Sequence, residues 1–203
     1  KTYSADMLDT LKAKDSTKRL LAEKVNALDI INSKIIPALN VVGEGFEKGK
    51  IYLPQLLMSA EAAANAFDEI KKTIPASDTD TRKKVILATV KGDIHDIGKN
   101  IVKVILESYG YKVYDLGRDV EPQAILEASI KHSCNLIGLS ALMTTTVPAM
   151  QETISLLHKE RPDAKVMVGG AVLNPEYAKM INADFYGKDA MEAVRIAQEF
   201  FSN

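Results

Sequence analysis

The sequence predicts an N-terminal four-helix unit followed by an α/β domain built on a five-stranded parallel sheet. The prediction rests on one contrast and a seam. Residues 1–74 contain no strand-like run, whereas from residue 84 short runs rich in Val and Ile alternate with amphipathic helical patterns. Between them, Thr73-Ile74-Pro75-Ala76-Ser77-Asp78-Thr79-Asp80-Thr81-Arg82 is small, polar and proline-bearing, which is linker chemistry. Strands that each lead into an amphipathic helix imply parallel pairing with helices on both faces.

In the first unit, the run from Leu20 to Ile31 carries apolar residues at helical spacing, with Asp15-Ser16-Thr17 available as its cap. The pattern continues through Ile35–Val42 and from Leu53 to Ile70. Pro37 and Pro54 fall near helix starts, where a missing amide costs least. The expected division is a helical unit over 1–74, a linker over 75–83 and an α/β domain over 84–203. Within the last, strands are expected at 84–90, 111–116, 135–140, 164–168 and 183–186. Helices are expected at 98–109, 121–132, 147–160, 174–181 and 189–201. With five strands, the flavodoxin-like order is favoured.

Bulk properties narrow the function. A hydrophobic fraction of 46% and a charged fraction of 26% are ordinary for a globular protein, and a net charge of -1 offers nothing to nucleic acid or an anionic membrane. No apolar run reaches the roughly 18 residues of a membrane span, and the first residues are not a signal peptide. A single cysteine, Cys134, cannot form an internal disulfide and reads as a buried small hydrophobe, which fits a cytoplasmic location. The lack of an initiating Met suggests a trimmed chain or a piece of a longer one.

The chemistry concentrates in Lys91-Gly92-Asp93-Ile94-His95-Asp96-Ile97-Gly98-Lys99-Asn100, between the first strand and its helix. In an open α/β sheet such a loop lies outside the carboxyl ends of the strands, where ligands bind. A histidine between two aspartates suits an imidazole presented to a metal, with a carboxylate fixing its other nitrogen. It equally suits a solvated loop histidine paired with Asp93 or Asp96. Two further features share the same edge of the sheet. Ser140-Ala141-Leu142-Met143-Thr144-Thr145-Thr146 ends the third strand with more hydroxyls than helix capping needs. Gly169-Gly170 ends the fourth, as a tight turn or as a place where a bulky ligand nears the backbone.

Taken together, Asp93-x-His95-x-x-Gly98, Ser140-x-Leu142 and Gly169-Gly170 resemble the signature of cobalamin-binding Rossmann-like domains that hold the cofactor with its dimethylbenzimidazole displaced. The resemblance implies His95 as the lower ligand of cobalt, Asp93 bonded to its far nitrogen, and Thr146 completing a hydroxyl relay. It implies cofactor contacts from Gly92, Ile94, Asp96, Ser140, Thr144 and Ala190, with the nucleotide tail in a slot between the Ser-x-Leu and Gly-Gly segments. Asn40-Val41-Val42-Gly43-Glu44-Gly45-Phe46-Glu47-Lys48-Gly49-Lys50-Ile51-Tyr52-Leu53-Pro54-Gln55 is similar to the helical cap of corrinoid methyltransferases. That likeness implies Phe46 and Leu53 over the upper, methyl-bearing face. Asn32 stands where methionine synthase carries a cofactor-contacting glutamate.

The resemblance leads to the expectation of a methyl-carrier module of cobalamin-dependent methionine synthase. Such a module moves a methyl group from methyltetrahydrofolate to homocysteine through cob(I)alamin and methylcob(III)alamin, with barrel domains that bind those substrates as partners, on the same chain or separate. Neither nucleic acid nor membrane is expected as a partner. The alternative is a free-standing corrinoid protein of a methylamine, methanol or methoxyaromatic methyltransferase system, which would share the cap and all three motifs. A carbon-skeleton mutase subunit would lack the cap. A cobalamin-sensing regulator would need a basic DNA-binding segment that nothing before residue 20 supplies.

Overall fold

Val and Ile runs flanked by helix-forming segments fold here as the alternation demands. The computed structural model describes residues 10–73 and 83–202. The chain divides into a helical unit and an α/β unit. The expected linker at 75–83 lies, save for Lys83, outside the described residues.

The helical unit contains α1 (Thr10–Ala22), α2 (Ala27–Ile30), α3 (Ile36–Glu47) and α4 (Leu53–Lys71). The first helix differs from expectation. Asp15-Ser16-Thr17 lies inside α1 and caps nothing, with the Thr17 hydroxyl donating to the carbonyl of Ala13 at 2.8 Å. The Leu20–Ile31 run is divided between α1 and α2, because Lys24 takes a left-handed φ of 62° and ends the first helix. A five-residue π-helical turn, Ile31–Ile35, joins α2 to α3, with the amide of Ile36 donating to the carbonyl of Ile31. It absorbs the five-residue step from Ile30 to Ile35, so that Ile30, Ile35, Leu39 and Val42 are all buried. Pro37 and Pro54 do sit in the first turns of α3 and α4. The Gln55 side chain accepts the Tyr52 amide at 2.8 Å, satisfying one of the orphan donors at the start of α4.

The α/β unit alternates β1 (Lys84–Thr89), α5 (Ile97–Ser108), β2 (Lys112–Asp115), α6 (Pro122–Lys131), β3 (Leu136–Ser140), α7 (Val147–Glu160), β4 (Lys165–Gly169), α8 (Pro175–Met180), β5 (Phe185–Tyr186) and α9 (Ala190–Phe200). All five strands are parallel, in the order β2-β1-β3-β4-β5. That is the flavodoxin-like arrangement, whose order reverses between β1 and β3. Right-handed crossovers then put α6, α7 and α8 on one face and α5 with α9 on the other. On the first face Ile86, Ala88, Ile137, Leu139, Val166 and Val168 pack with Ile125, Met150, Ile154 and Leu157. Each fully buried Val, Ile, Leu or Met side chain among them contributes about 1.5–3 kcal/mol. Cys134 lies among them, and burial pushes its thiol pKa up, as a structural rather than reactive cysteine requires.

Candidate functional site

The loop after β1 is set by one glycine and one buried carboxylate. The Asp93 amide turns back to the Val90 carbonyl at 3.0 Å. Gly92 has a φ of 82°, a conformation that glycine adopts at least cost, and its amide donates to Asp119 Oδ1 at 2.7 Å. The Asp119 amide in turn donates to the Asp93 carbonyl at 3.0 Å, tying in the loop after β2.

Asp93 is fully buried and accepts from two loops. Its Oδ1 receives the His95 amide at 3.0 Å and lies 2.8 Å from His95 Nδ1. Its Oδ2 receives the amides of Leu142 at 2.7 Å and Met143 at 3.2 Å, with Thr146 Oγ1 at 3.1 Å. Thr146 Oγ1 is also 2.8 Å from the Met143 carbonyl, so one hydroxyl proton serves two acceptors. Burial alone would raise the Asp93 pKa. The backbone amides of His95 and Leu142, the imidazole and the Met143 amide together overcome it and hold the carboxyl well below the usual range. An ionised carboxylate only accepts, so Nδ1 must carry the ring proton. Nε2 is then left with its lone pair free, and it has no hydrogen-bond partner among the described residues. The imidazole is 45% exposed.

The rim around His95 is apolar. Ile94 is 59%, Ile97 78% and Leu142 42% exposed, unusual for large aliphatic side chains on a loop rim. A Cβ placed on Gly98, in the first turn of α5, would meet nothing within 4 Å. The start of α5 is fixed by Lys99, whose buried ammonium pairs with Asp115 at the end of β2. Burial raises the pKa of Asp115, but the Lys99 and Gly117 donors outweigh it and bring the carboxyl below its usual range.

At the neighbouring strand ends, the paired glycines answer to protein backbone. Gly170 has a φ of 125°, and a Cβ there would lie 1.9 Å from the Ala141 carbonyl oxygen. A Cβ on Gly169 would lie 2.9 Å from the Gly187 carbonyl oxygen. The close approach expected of a ligand is thus made by the loops after β3 and β5. Ser140 pairs in register with Thr89 of β1 and Gly169 of β4.

Of the residues singled out in the sequence, hydrogen bonding joins His95, Asp93, Leu142 and Thr146 in one network. Gly92 meets it through Asp119, and a Cβ on Gly92 would be 3.4 Å from Thr146 Cγ2. Ile94, Gly98, Ser140, Gly169 and Gly170 lie on the same edge of the sheet. Asp96, just before α5, accepts the Asn100 amide at its carbonyl at 2.8 Å. Thr144 is exposed in a short 3-10 turn, and Ala190 is the buried first residue of α9. Phe46 and Leu53, both half-buried, end α3 and begin α4 in the helical unit, and Asn32 is exposed in its π turn. Sequence reasoning missed Asp119, Lys99 and the Met143 amide, whose roles depend on contacts across loops that no local spacing encodes.

Comparison with known proteins accords with this geometry. Two family models, each a B12 binding domain, match residues 83–195 and residues 5–71. Dimethylamine corrinoid protein 1 of Methanosarcina acetivorans is 41% identical over 177 residues, covering 86% of this chain and 83% of that protein. A cobalamin-binding protein from Desulfitobacterium hafniense superposes with a TM-score of 0.83 at 31% identity, covering 96% of this chain and 95% of the other. One chain of the methanol:cobalamin methyltransferase complex MtaBC from Methanosarcina barkeri gives 0.81 at 31%, covering 98% and 77%. The dimethylamine corrinoid protein and the methanol:cobalamin methyltransferase complex overturn the methionine synthase expectation. The cap and the three motifs did not separate the two, because the resemblance gave both classes the same features. The cofactor is cobalamin, and the chain belongs to the family of B12-binding domains.

Proposed function

We propose that the chain is the methyl-carrying corrinoid protein of a methyltransferase system, serving a separate methyltransferase that acts on a methylamine, methanol or a methoxyaromatic compound. A methylamine is favoured by the dimethylamine corrinoid relative. The observation that carries the reading is the imidazole of His95, fixed at Nδ1 by a buried ionised carboxylate and free at Nε2.

The residues fit the cofactor on the chemistry of their donor set. No group of three or more His, Cys, Asp or Glu residues able to hold a bare metal ion occurs among the described residues. A cobalt already held in a macrocycle would need a single nitrogen from the protein, which His95 would supply, and the apolar rim of Ile94, Ile97 and Leu142 would suit a flat organic ring. When bound, cobalamin supplies a cobalt centre that takes up and gives away a methyl group. The chain's part is to hold, orient and tune. His95 would ligate through Nε2, Asp93 would keep its ring in one tautomer, and Thr146 would stabilise the Asp93 charge. Gly92, Asp96, Gly98, Ser140, Thr144, Gly169, Gly170 and Ala190 would border the cofactor as the family resemblance implies.

The test is electron paramagnetic resonance on protein loaded with cob(II)alamin, with histidine labelled with nitrogen-15. The signal should show one coupled histidine nitrogen in the parent chain and none in His95→Ala. Persistence of the histidine coupling in the variant would overturn the ligand assignment. Methyl uptake by the loaded chain, with methyltransferases for methylamines, methanol and methoxyaromatics supplied in turn, identifies the donor.

A further inference from the structure

Thr89 ends β1 with its side chain fully buried, and its hydroxyl is the one buried side-chain polar atom without a hydrogen-bond partner among the described residues. A buried hydroxyl left unpaired is costly, and native proteins seldom keep one without a use for it. Register gives its direction. Side chains alternate along β1, and Ile86, Ala88 and Val90 belong to the cluster on the α6–α7 face. Thr89 therefore points to the opposite face, covered by α5 and α9. Ser140 is its register partner on β3, its side chain is on the same face, and its hydroxyl likewise has no partner among the described residues. One step back along the strands, in the same face, stands Gly138. A Cβ there would lie 2.6 Å from Leu87 Cδ2 and 2.8 Å from Met167 Cε. Two unpaired hydroxyls thus overlook a gap that lacks a side chain and is filled only by flexible side-chain ends, which can swing aside.

We propose that Thr89 is a positioning residue for the nucleotide tail of bound cobalamin, its hydroxyl donating to the displaced aromatic base. The proposal rests on the reading of His95 as the cobalt ligand, because a cobalt held by His95 would leave the base nitrogen unligated, its lone pair open to a donor. Entry of the base beside Gly138 displaces the tips of Leu87 and Met167 and brings the acceptor to Thr89. The same hydroxyl is a liability in the cofactor-free chain and an asset in the loaded one.

The experiment compares the parent chain with Thr89→Val, which keeps the shape and removes the donor. Binding of cobalamin is measured beside binding of cobinamide, which lacks the nucleotide tail. Thr89→Val should bind cobalamin about tenfold more weakly, the worth of one hydrogen bond, and bind cobinamide as the parent does. The cofactor-free variant should melt about 2–4 °C higher, because the orphaned hydroxyl is gone. Its histidine coupling to cob(II)alamin should persist, which separates this proposal from the ligand assignment. Equal affinity of parent and variant for cobalamin, or an equal loss for cobinamide, would overturn the role of Thr89. Loss of histidine coupling in the parent chain would instead overturn the reading on which it rests.

Discussion

Asp93 gathers donors from two loops onto two oxygens, and an amide cannot replace it. In Asp93→Asn one carbonyl oxygen remains, and the NH2 group must face either the His95 donors or the amides of Leu142 and Met143. The variant is expected to lose about 2–4 kcal/mol of stability, measured by denaturant unfolding. It should also make His95 a poorer donor, so the cob(II)/cob(I) midpoint should move to a more positive potential, because reduction then gives up a weaker ligand. An unchanged midpoint would show that Asp93 does not tune the ligand. Gly170 offers a second test at this scale. With Gly170→Ala, the new methyl group has backbone in its way, 1.9 Å from the Ala141 oxygen, and the φ of 125° is strained besides. Ala141 must move, and Leu142 beside it should release Asp93. Amide hydrogen exchange at Leu142 and Met143 should speed up markedly, and an unaltered exchange rate there would refute the linkage.

The π turn of the helical unit yields its own prediction. Deleting Ser33 shortens the five-residue step between Ile30 and Ile35 to four, which an ordinary α-helix places on one face. Ile30, Ile35, Leu39 and Val42 would stay in phase, so the deletion variant should fold with helicity and melting temperature no lower than the parent. Collapse of helical circular dichroism would mean that the turn is needed for packing. This turn was not legible in the sequence, since an apolar step of five breaks the helical period. The end of α1 was hidden for a related reason. Lys24 takes a left-handed conformation without the glycine or asparagine that usually announces one. The α/β half was legible almost throughout, because buried parallel strands need unbroken apolar runs such as Val85-Ile86-Leu87-Ala88, and their ends shifted by only a residue or two. In the candidate site, the local His95 motif could be read directly. Thr146 came from the resemblance, whereas the Leu142 and Met143 amides on Asp93, and Asp119 opposite Gly92, became visible only once the strands were side by side.

For the whole molecule, acid lability follows from three carboxylates. Asp93, Asp115 and Asp184 are each buried enough to raise their pKa, yet their hydrogen-bond donors bring all three below the ordinary value. A group with a lowered folded pKa adds stability that is complete above the unfolded value, near 4, and is lost as pH falls through the folded one. Unfolding should therefore set in below about pH 4, and Asp184→Asn, which also weakens the ties to His158 and Lys165, should begin at higher stability loss already at neutral pH. A flat stability profile down to pH 3 would contradict this. Every member of the His95 network lies in the α/β unit, so a fragment of residues 83–203, if folded by circular dichroism, should still bind cobalamin with histidine coupling. The carboxylate of Asp93 also bears on how such a site could be transplanted. The short stretch around His95 is a portable peptide in appearance only. Moved alone into another open α/β scaffold, it would leave behind the amides of Leu142 and Met143, the Thr146 hydroxyl, the Asp119 clasp on Gly92 and the clearance at Gly170. A designer would have to graft the loops that follow four strands together, and a lineage acquiring the site step by step would gain little until the last of them was in place.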